Sequence, residues 1–168
     1  LPRPCQVAFS SDESVLVAST EHNGSIHAFQ LDAQHILQSE PTLTISTGGS
    51  RLRALAPNPA PDLAQLFAVV TDRGDCCIAD LKAGALVLRD GTPELVKNAT
   101  VVSWSNRGKQ LVVGRNDGTA VQIKPDGSPV TTIPRPSSLP DNAHISGISW
   151  LENECFFIAY TPTTYDTD

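Results

Sequence analysis

The sequence contains no methionine, not even at position 1, where Leu1 leads directly into a β-type run. A translated chain opens on Met unless it is processed away, so we expect a piece of a longer polypeptide. Aromatic residues make up only 5% of the chain, which leaves Val, Ile, Leu and Ala to build a core around a few ring anchors. No apolar run approaches the roughly 20 residues of a membrane span, and none has the make-up of a secretory leader. Long apolar stretches of helical period are missing as well, and with them the case for a helical fold.

Chemistry-bearing patterns are equally scarce. Cys5, Cys76, Cys77 and Cys155 show no ligand spacing. Cys76 and Cys77 are adjacent, so in a strand they point to opposite faces and cannot hold one ion together. Scattered thiols without a framework fit a reducing compartment, cytosolic or nuclear. The glycosylation triplets Asn23-Gly24-Ser25 and Asn98-Ala99-Thr100 are short enough to arise by chance. Gly108-Lys109 lacks the rest of a phosphate loop, because Ser103 and Gln110 stand where Gly and Ser or Thr are needed. His22, His27, His35 and His144 have no nucleophile to activate, and there is no Gly-x-Ser-x-Gly elbow. Asp72, Asp75 and Asp117 fall in turns, where an Asp satisfies local backbone donors. No catalytic residue, metal or cofactor is expected. A net charge of −6 with a pI near 5.1 lacks the basic face that phosphate binding needs, which argues against direct contact with nucleic acid. Arg107, Lys109, Arg115 and Lys124 are the nearest thing to a basic cluster, and hairpin placement makes them a solvated edge.

What the chain does have is a repeat. Phe9, Leu55, Trp104 and Trp150 each close an apolar run, at spacings of 46, 49 and 46 residues. A polar stretch and a second β-type run follow each of them: Val15 to Thr20, Leu66 to Thr71, Leu111 to Arg115 and Cys155 to Thr161. Three of these continue through a Gly turn (His22-Asn23-Gly24-Ser25, Asp72-Arg73-Gly74-Asp75, Asn116-Asp117-Gly118-Thr119) into a third run. Several short strands per unit of this length are the signature of propeller blades.

The predicted fold is all-β, a WD-like β-propeller present as about 3.5 consecutive blades within one body, 1–168. The blade units are about 5–47, 51–90, 99–134 and 144–168. Their strands, A to D from the inside out, are Cys5–Ser10, Val15–Thr20, Ser25–Leu31 and Leu43–Ser46 in unit one. Unit two has Leu52–Ala56, Leu66–Thr71, Cys76–Leu81 and Ala85–Arg89, with Pro57-Asn58-Pro59-Ala60-Pro61 as a loop. Unit three has Thr100–Ser105, Gln110–Arg115, Thr119–Lys124 and Val130–Ile133, and unit four only Ile145–Trp150 and Cys155–Tyr160. Where WD repeats end strand C on Trp-Asp, this chain has Phe29-Gln30, Ala79-Asp80 and Ile123-Lys124, so the blades are divergent. A β-sandwich would explain the alternating strands but not the near-constant period.

The run Val102-Ser103-Trp104-Ser105-Asn106-Arg107-Gly108-Lys109-Gln110-Leu111-Val112-Val113-Gly114-Arg115-Asn116-Asp117-Gly118-Thr119-Ala120-Val121-Gln122 is specific enough to name a family. It resembles the N-terminal β-propeller of the cytoplasmic-side nucleoporin that docks the mRNA-export DEAD-box helicase at the nuclear pore. That family has a similar Trp-Ser-Pro-Lys-Gly-Lys-Gln-Leu stretch, then Val-Gly, an Asn-Gly-Thr turn and Val-Gln. Asn106-Arg107 here replaces Pro-Lys. The similarity continues through Ile133-Pro134-Arg135-Pro136 to Ile148-Ser149-Trp150, and reaches back through Gly24-Ser25-Ile26-His27-Ala28-Phe29.

The resemblance implies the middle blades of a seven-bladed propeller in a non-enzymatic scaffold on the cytoplasmic side of the pore. Its partners would be other nucleoporins and the helicase, whose N-terminal RecA domain it would dock in competition with RNA. The family carries an acidic residue in the loop that corresponds to 136–144, where Asp141 is the only acid. Asp141, Asn142 and His144 are therefore the expected partner-binding residues. The residues alone leave two other classes open: a WD-like adaptor of another intracellular complex, and a propeller enzyme with its site in further blades.

Overall fold

The computed structural model describes residues 4–21, 24–87, 96–152 and 154–163. Blade one is a four-stranded antiparallel meander of β1 (Pro4–Phe9), β2 (Val15–Thr20), β3 (Ile26–Gln30) and β4 (Leu43–Ile45). Blade two repeats it with β5 (Leu52–Pro57), β6 (Leu66–Thr71), β7 (Cys76–Asp80) and β8 (Ala85–Val87). Blade three comprises β9 (Ala99–Trp104), β10 (Leu111–Arg115), β11 (Ala120–Ile123) and β12 (Pro129–Ile133). A hairpin of β13 (Ala143–Trp150) and β14 (Phe156–Pro162) begins blade four. Leu88 and Arg89, expected at the end of an outer strand, lie outside the described residues. So do His22 and Asn23 of the first B–C turn and the last residues of unit four, 164–168.

The sheets stack face to face in chain order, and the core is three apolar layers between neighbours. Val17, Ile26, Ala28 and Ile45 of blade one meet Leu52, Phe67, Val69 and Cys77 of blade two. Leu66, Ala68, Val70, Cys76 and Ile78 leave the other side of blade two for Trp104, Leu111 and Val113 of blade three. Val112 and Ala120 then face Ile145 and Trp150 of blade four. Alternation along β6 sends odd and even residues into different layers, which explains why Leu66–Thr71 is buried throughout. The adjacent thiols part in the same way, and burial pushes the Cys76 thiol pKa up.

Register corrects one expectation. Phe9 pairs with Leu16, Trp104 with Leu111 and Trp150 with Phe156, each at the last ladder position before the A–B turn. In blade two that position belongs to Pro57, paired with Phe67, and not to Leu55. The repeat then runs 48, 47 and 46 residues, more regular than the apolar residues suggested. Apolarity misled here because Pro57 closes β5 with no ladder donor to lose at its edge. The remainder of the proline run opens a 3-10 turn at Pro61–Leu63.

This register carries a recurrent tie between blades. The Trp104 indole Nε1 donates to the Ala56 carbonyl at 3.0 Å, and Trp150 Nε1 to the Ser103 carbonyl at 3.1 Å. Ala56 and Ser103 occupy equivalent places, two residues before the A–B turn. Pro57 has no side-chain donor, so the first seam lacks the tie; there Ser11 Oγ donates to the Ala60 carbonyl at 3.2 Å. Buried Asn58 spans the second seam, with Nδ2 donating to the Gly108 carbonyl at 2.9 Å and Oδ1 accepting from the Ala60 amide at 2.9 Å.

Three turns share an Asp-x-Ser/Thr pattern in which one carboxylate oxygen accepts from an amide and a hydroxyl two residues on. Asp12 serves Ser14, Asp117 serves Thr119 and Asp126 serves Ser128. All three hold pKa values below the ordinary carboxylate range. The Ser10 hydroxyl leads for Asp12 and the Ser128 hydroxyl for Asp126. Burial opposes the shift at Asp117, where the Thr119 hydrogen bonds and Arg115 together outweigh it. A carboxyl depressed by folding contributes stability above its unfolded pKa of about 3.9 and loses it as pH falls through the folded value. The melting temperature of the full-length protein should therefore hold steady from neutral pH to about pH 5 and fall below about pH 4. Replacing Asp12, Asp117 and Asp126 together by Asn should flatten part of that acid limb. An unchanged acid limb in the triple variant would assign it to other carboxylates.

Candidate partner-binding loop

The A–B and C–D turns gather at one end of the sheets, the lower rim; the B–C turns and D–A loops form the upper rim. The loop joining β12 to β13, residues 134–142, lies on the upper rim between blades three and four. Its prolines at 134, 136 and 140 offer no amide hydrogen and favour extended backbone before them, so neither neighbouring strand can continue through it. Two backbone turns shape it: the Leu139 amide donates to the Pro136 carbonyl at 3.2 Å, and Ala143 to Pro140 at 3.0 Å.

Arg135 is the loop's hub. Its side chain is 22% exposed, and its Nη2 donates to the Leu139 carbonyl at 3.2 Å. Its Nη1 lies 3.6 Å from the Asp141 carboxylate, which is itself fully exposed. The stem rests on the B–C turn of blade three, where a Cβ on Gly118 would come within 2.8 Å of Arg135 Cδ. Arg135 Nε is buried without a partner among the described residues. The arginine also acts on Tyr160, whose phenol pKa is raised by burial and partly restored by this charge.

The three expected residues differ in what they offer. Among the described residues the Asp141 side chain pairs with Arg135 alone, and it projects into solvent. Asn142 is joined to the end of blade four: Nδ2 donates to the Thr163 carbonyl at 2.9 Å, and its own carbonyl accepts from the Thr163 amide and hydroxyl at 3.0 Å. His144, half-buried in β13, has Nδ1 3.3 Å from the Thr163 hydroxyl. Two of the three thus brace the loop against Thr163, just past β14, and Asp141 is the one whose charge is presented. Sequence reasoning missed Arg135 and Thr163. An arginine held between two prolines, ahead of the loop's lone acid, was the signal available for the first; Thr163 had none.

Charge is divided unevenly between the rims. On the upper rim, acids stand beside cations: Glu21 with Arg51 at 3.8 Å, Asp75 with Lys97 at 2.9 Å, and Asp141 with Arg135. Among the described residues the lower-rim turns hold Asp12, Glu13, Asp32, Glu40, Asp62, Asp126, Glu152 and Glu154 against Lys82, Arg107, Lys109 and Lys124. Clefts of about 260 and 290 Å³ open at the lower and upper ends of the first seam, where the indole tie is missing. The hydroxyls in the lower cleft, Ser10 and Ser14, donate to Asp12 as part of its turn. Among the described residues no group of three His, Cys, Asp or Glu side chains is placed to hold a metal ion.

The family model described as the NUP159/214 beta propeller matches residues 1–168. Nucleoporin NUP159 of Chaetomium thermophilum is 38% identical over 97% of this chain, which covers 11% of that protein. Nucleoporin nup146 of Schizosaccharomyces pombe is 49% identical over 42% of this chain, equal to 5% of its own length. The chain therefore spans about a tenth or less of these relatives. A solved structure, Chaetomium thermophilum Sqt1 bound to the N-terminus of ribosomal protein L10, superposes with a TM-score of 0.66 at 18% identity. It covers 94% of this chain and 41% of its own, and that likeness shows the fold alone.

Proposed function

Because this chain belongs to the NUP159/214 beta-propeller family, we propose that it is part of a non-enzymatic docking platform of a nuclear pore nucleoporin. The platform stands on the cytoplasmic side of the pore, among other nucleoporins, and holds the DEAD-box helicase of mRNA export. The observation that carries this reading is the family match over the whole chain. The contact is assigned to the upper-rim loop, with Asp141 facing a cationic residue of the helicase and Asn142 and His144 bracing the loop on Thr163. A loop shortened in freedom by prolines and presented by rigid sheets loses little entropy when it binds.

The reading is tested by Asp141→Arg in the full-length protein, with helicase affinity measured at low and moderate salt. Glu40→Arg is the control, an exposed acid on the lower rim, whereas Asp12 would disturb its own turn. Reversing a rim charge opposite a cation should weaken binding about tenfold, or roughly 1.4 kcal/mol, and the control should bind like the parent protein. If Asp141→Arg binds as the parent does at both salt concentrations, the contact lies elsewhere.

A further inference from the structure

We infer that Arg135 is a positioning residue of this loop, holding the Leu139 carbonyl and the Asp141 carboxylate on one guanidinium so that the loop meets its partner already shaped. The inference rests on the reading of residues 136–144 as the docking loop. Pro136, Ser137, Ser138, Pro140, Asp141 and Asn142 are all exposed, so the loop has no apolar core of its own. Its shape has to come from polar contacts, and Arg135 supplies the ones that cross it.

The chemistry suits arginine in particular. A planar fork can serve a carbonyl with one nitrogen and a carboxylate with another, and a lysine ammonium lacks that fixed geometry. The contacts fall at 3.2 Å to Leu139 and 3.6 Å to Asp141, both on terminal nitrogens of the fork. The stem is fixed from below, because Gly118, at φ +80°, leaves open the seat that a side chain would fill. An ion pair to a fully exposed carboxylate is worth little in energy. Its effect is orientation: Asp141 is kept near one place, yet a partner cation can take it over while the Leu139 bond keeps the loop in form.

Two separable consequences follow for Arg135→Met in the full-length protein. Loss of the hub should loosen the loop and speed partner release, whereas loss of the neighbouring cation makes the local potential at the loop more negative and the encounter no slower. Hydrogen exchange at the Leu139 amide, which donates to the Pro136 carbonyl within the loop, should rise about tenfold, with β12 and β13 unchanged. The dissociation rate of the helicase should rise by a similar factor of about ten, and the association rate should not fall. Arg135→Lys should keep the parent association rate and still release faster. Arg73→Met, an exposed arginine on the same rim, should match the parent in every readout. Parent-like exchange in the Arg135→Met loop would overturn the inference, whatever happens to binding. A loosened loop with an unchanged dissociation rate would also overturn it, if Asp141→Arg binds weakly. A parent protein that does not bind the helicase would overturn the functional reading, and the exchange measurement would still decide the role of Arg135.

Discussion

Truncating Trp104 to alanine in the full-length protein is expected to lower the unfolding free energy by about 3–5 kcal/mol, as large aromatic deletions in cores do. The indole is 7% exposed, packs in the layer between blades two and three, and holds the Ala56 carbonyl across the seam. Trp150→Ala should cost a similar amount, because Trp150 repeats the arrangement one blade on, against Ser103, with the Phe156 ring tilted by 49° and its centroid 4.8 Å away. Phenylalanine at either site should keep most of the packing and lose about 1 kcal/mol with the indole donor. Urea denaturation of the four variants checks the order. A Trp104→Ala protein that kept its melting temperature and lost only partner binding would make the residue a docking contact instead.

Gly108→Ala is expected to be nearly as damaging, at about 2–4 kcal/mol, although it adds a single methyl to an A–B turn. Gly108 sits at φ +67°, where an L side chain is strained. Its new Cβ would fall 1.9 Å from Asn58 Oδ1, so Asn58 would have to leave the bond it makes to the Gly108 carbonyl. Asn58 is wholly buried, and displacing it also strips the Ala60 amide of its acceptor. Because both losses run through one side chain, Asn58→Ala and Gly108→Ala should not add. The double variant should be more stable than the sum of the single costs predicts, by about 1 kcal/mol or more. Strict additivity would show that the two residues do not meet.

Much of the fold was legible because its signals are local. Val15–Thr20 and Leu66–Thr71 form strands β2 and β6 where the apolar runs placed them, and the Gly turn at 116–119 bends with Gly118 at positive φ. Pro57 and Asn58 were not legible. A proline run reads as a loop, yet its first residue closes a strand and its second spans a seam whose other side lies 50 residues on. No local pattern records a partner at that distance. The candidate loop divides in the same way. Asp141 stood out as a lone acid, whereas the role of Arg135 depends on a fold-back to Leu139 and on a seat supplied by Gly118 from another turn.

The division of charge between the rims acts on approach rather than on contact. Among the described residues the acids are matched by cations at one end and outnumber them at the other, a distribution that sets a dipole along the axis of the sheets. A cationic partner arriving from solution feels a torque that turns the acidic end toward it, away from Asp141. At physiological ionic strength this pull fades within about 8 Å of the surface. Productive encounters at the upper rim are then decided by rotational search and shape, and the net charge of −6 accelerates arrival at the opposite end.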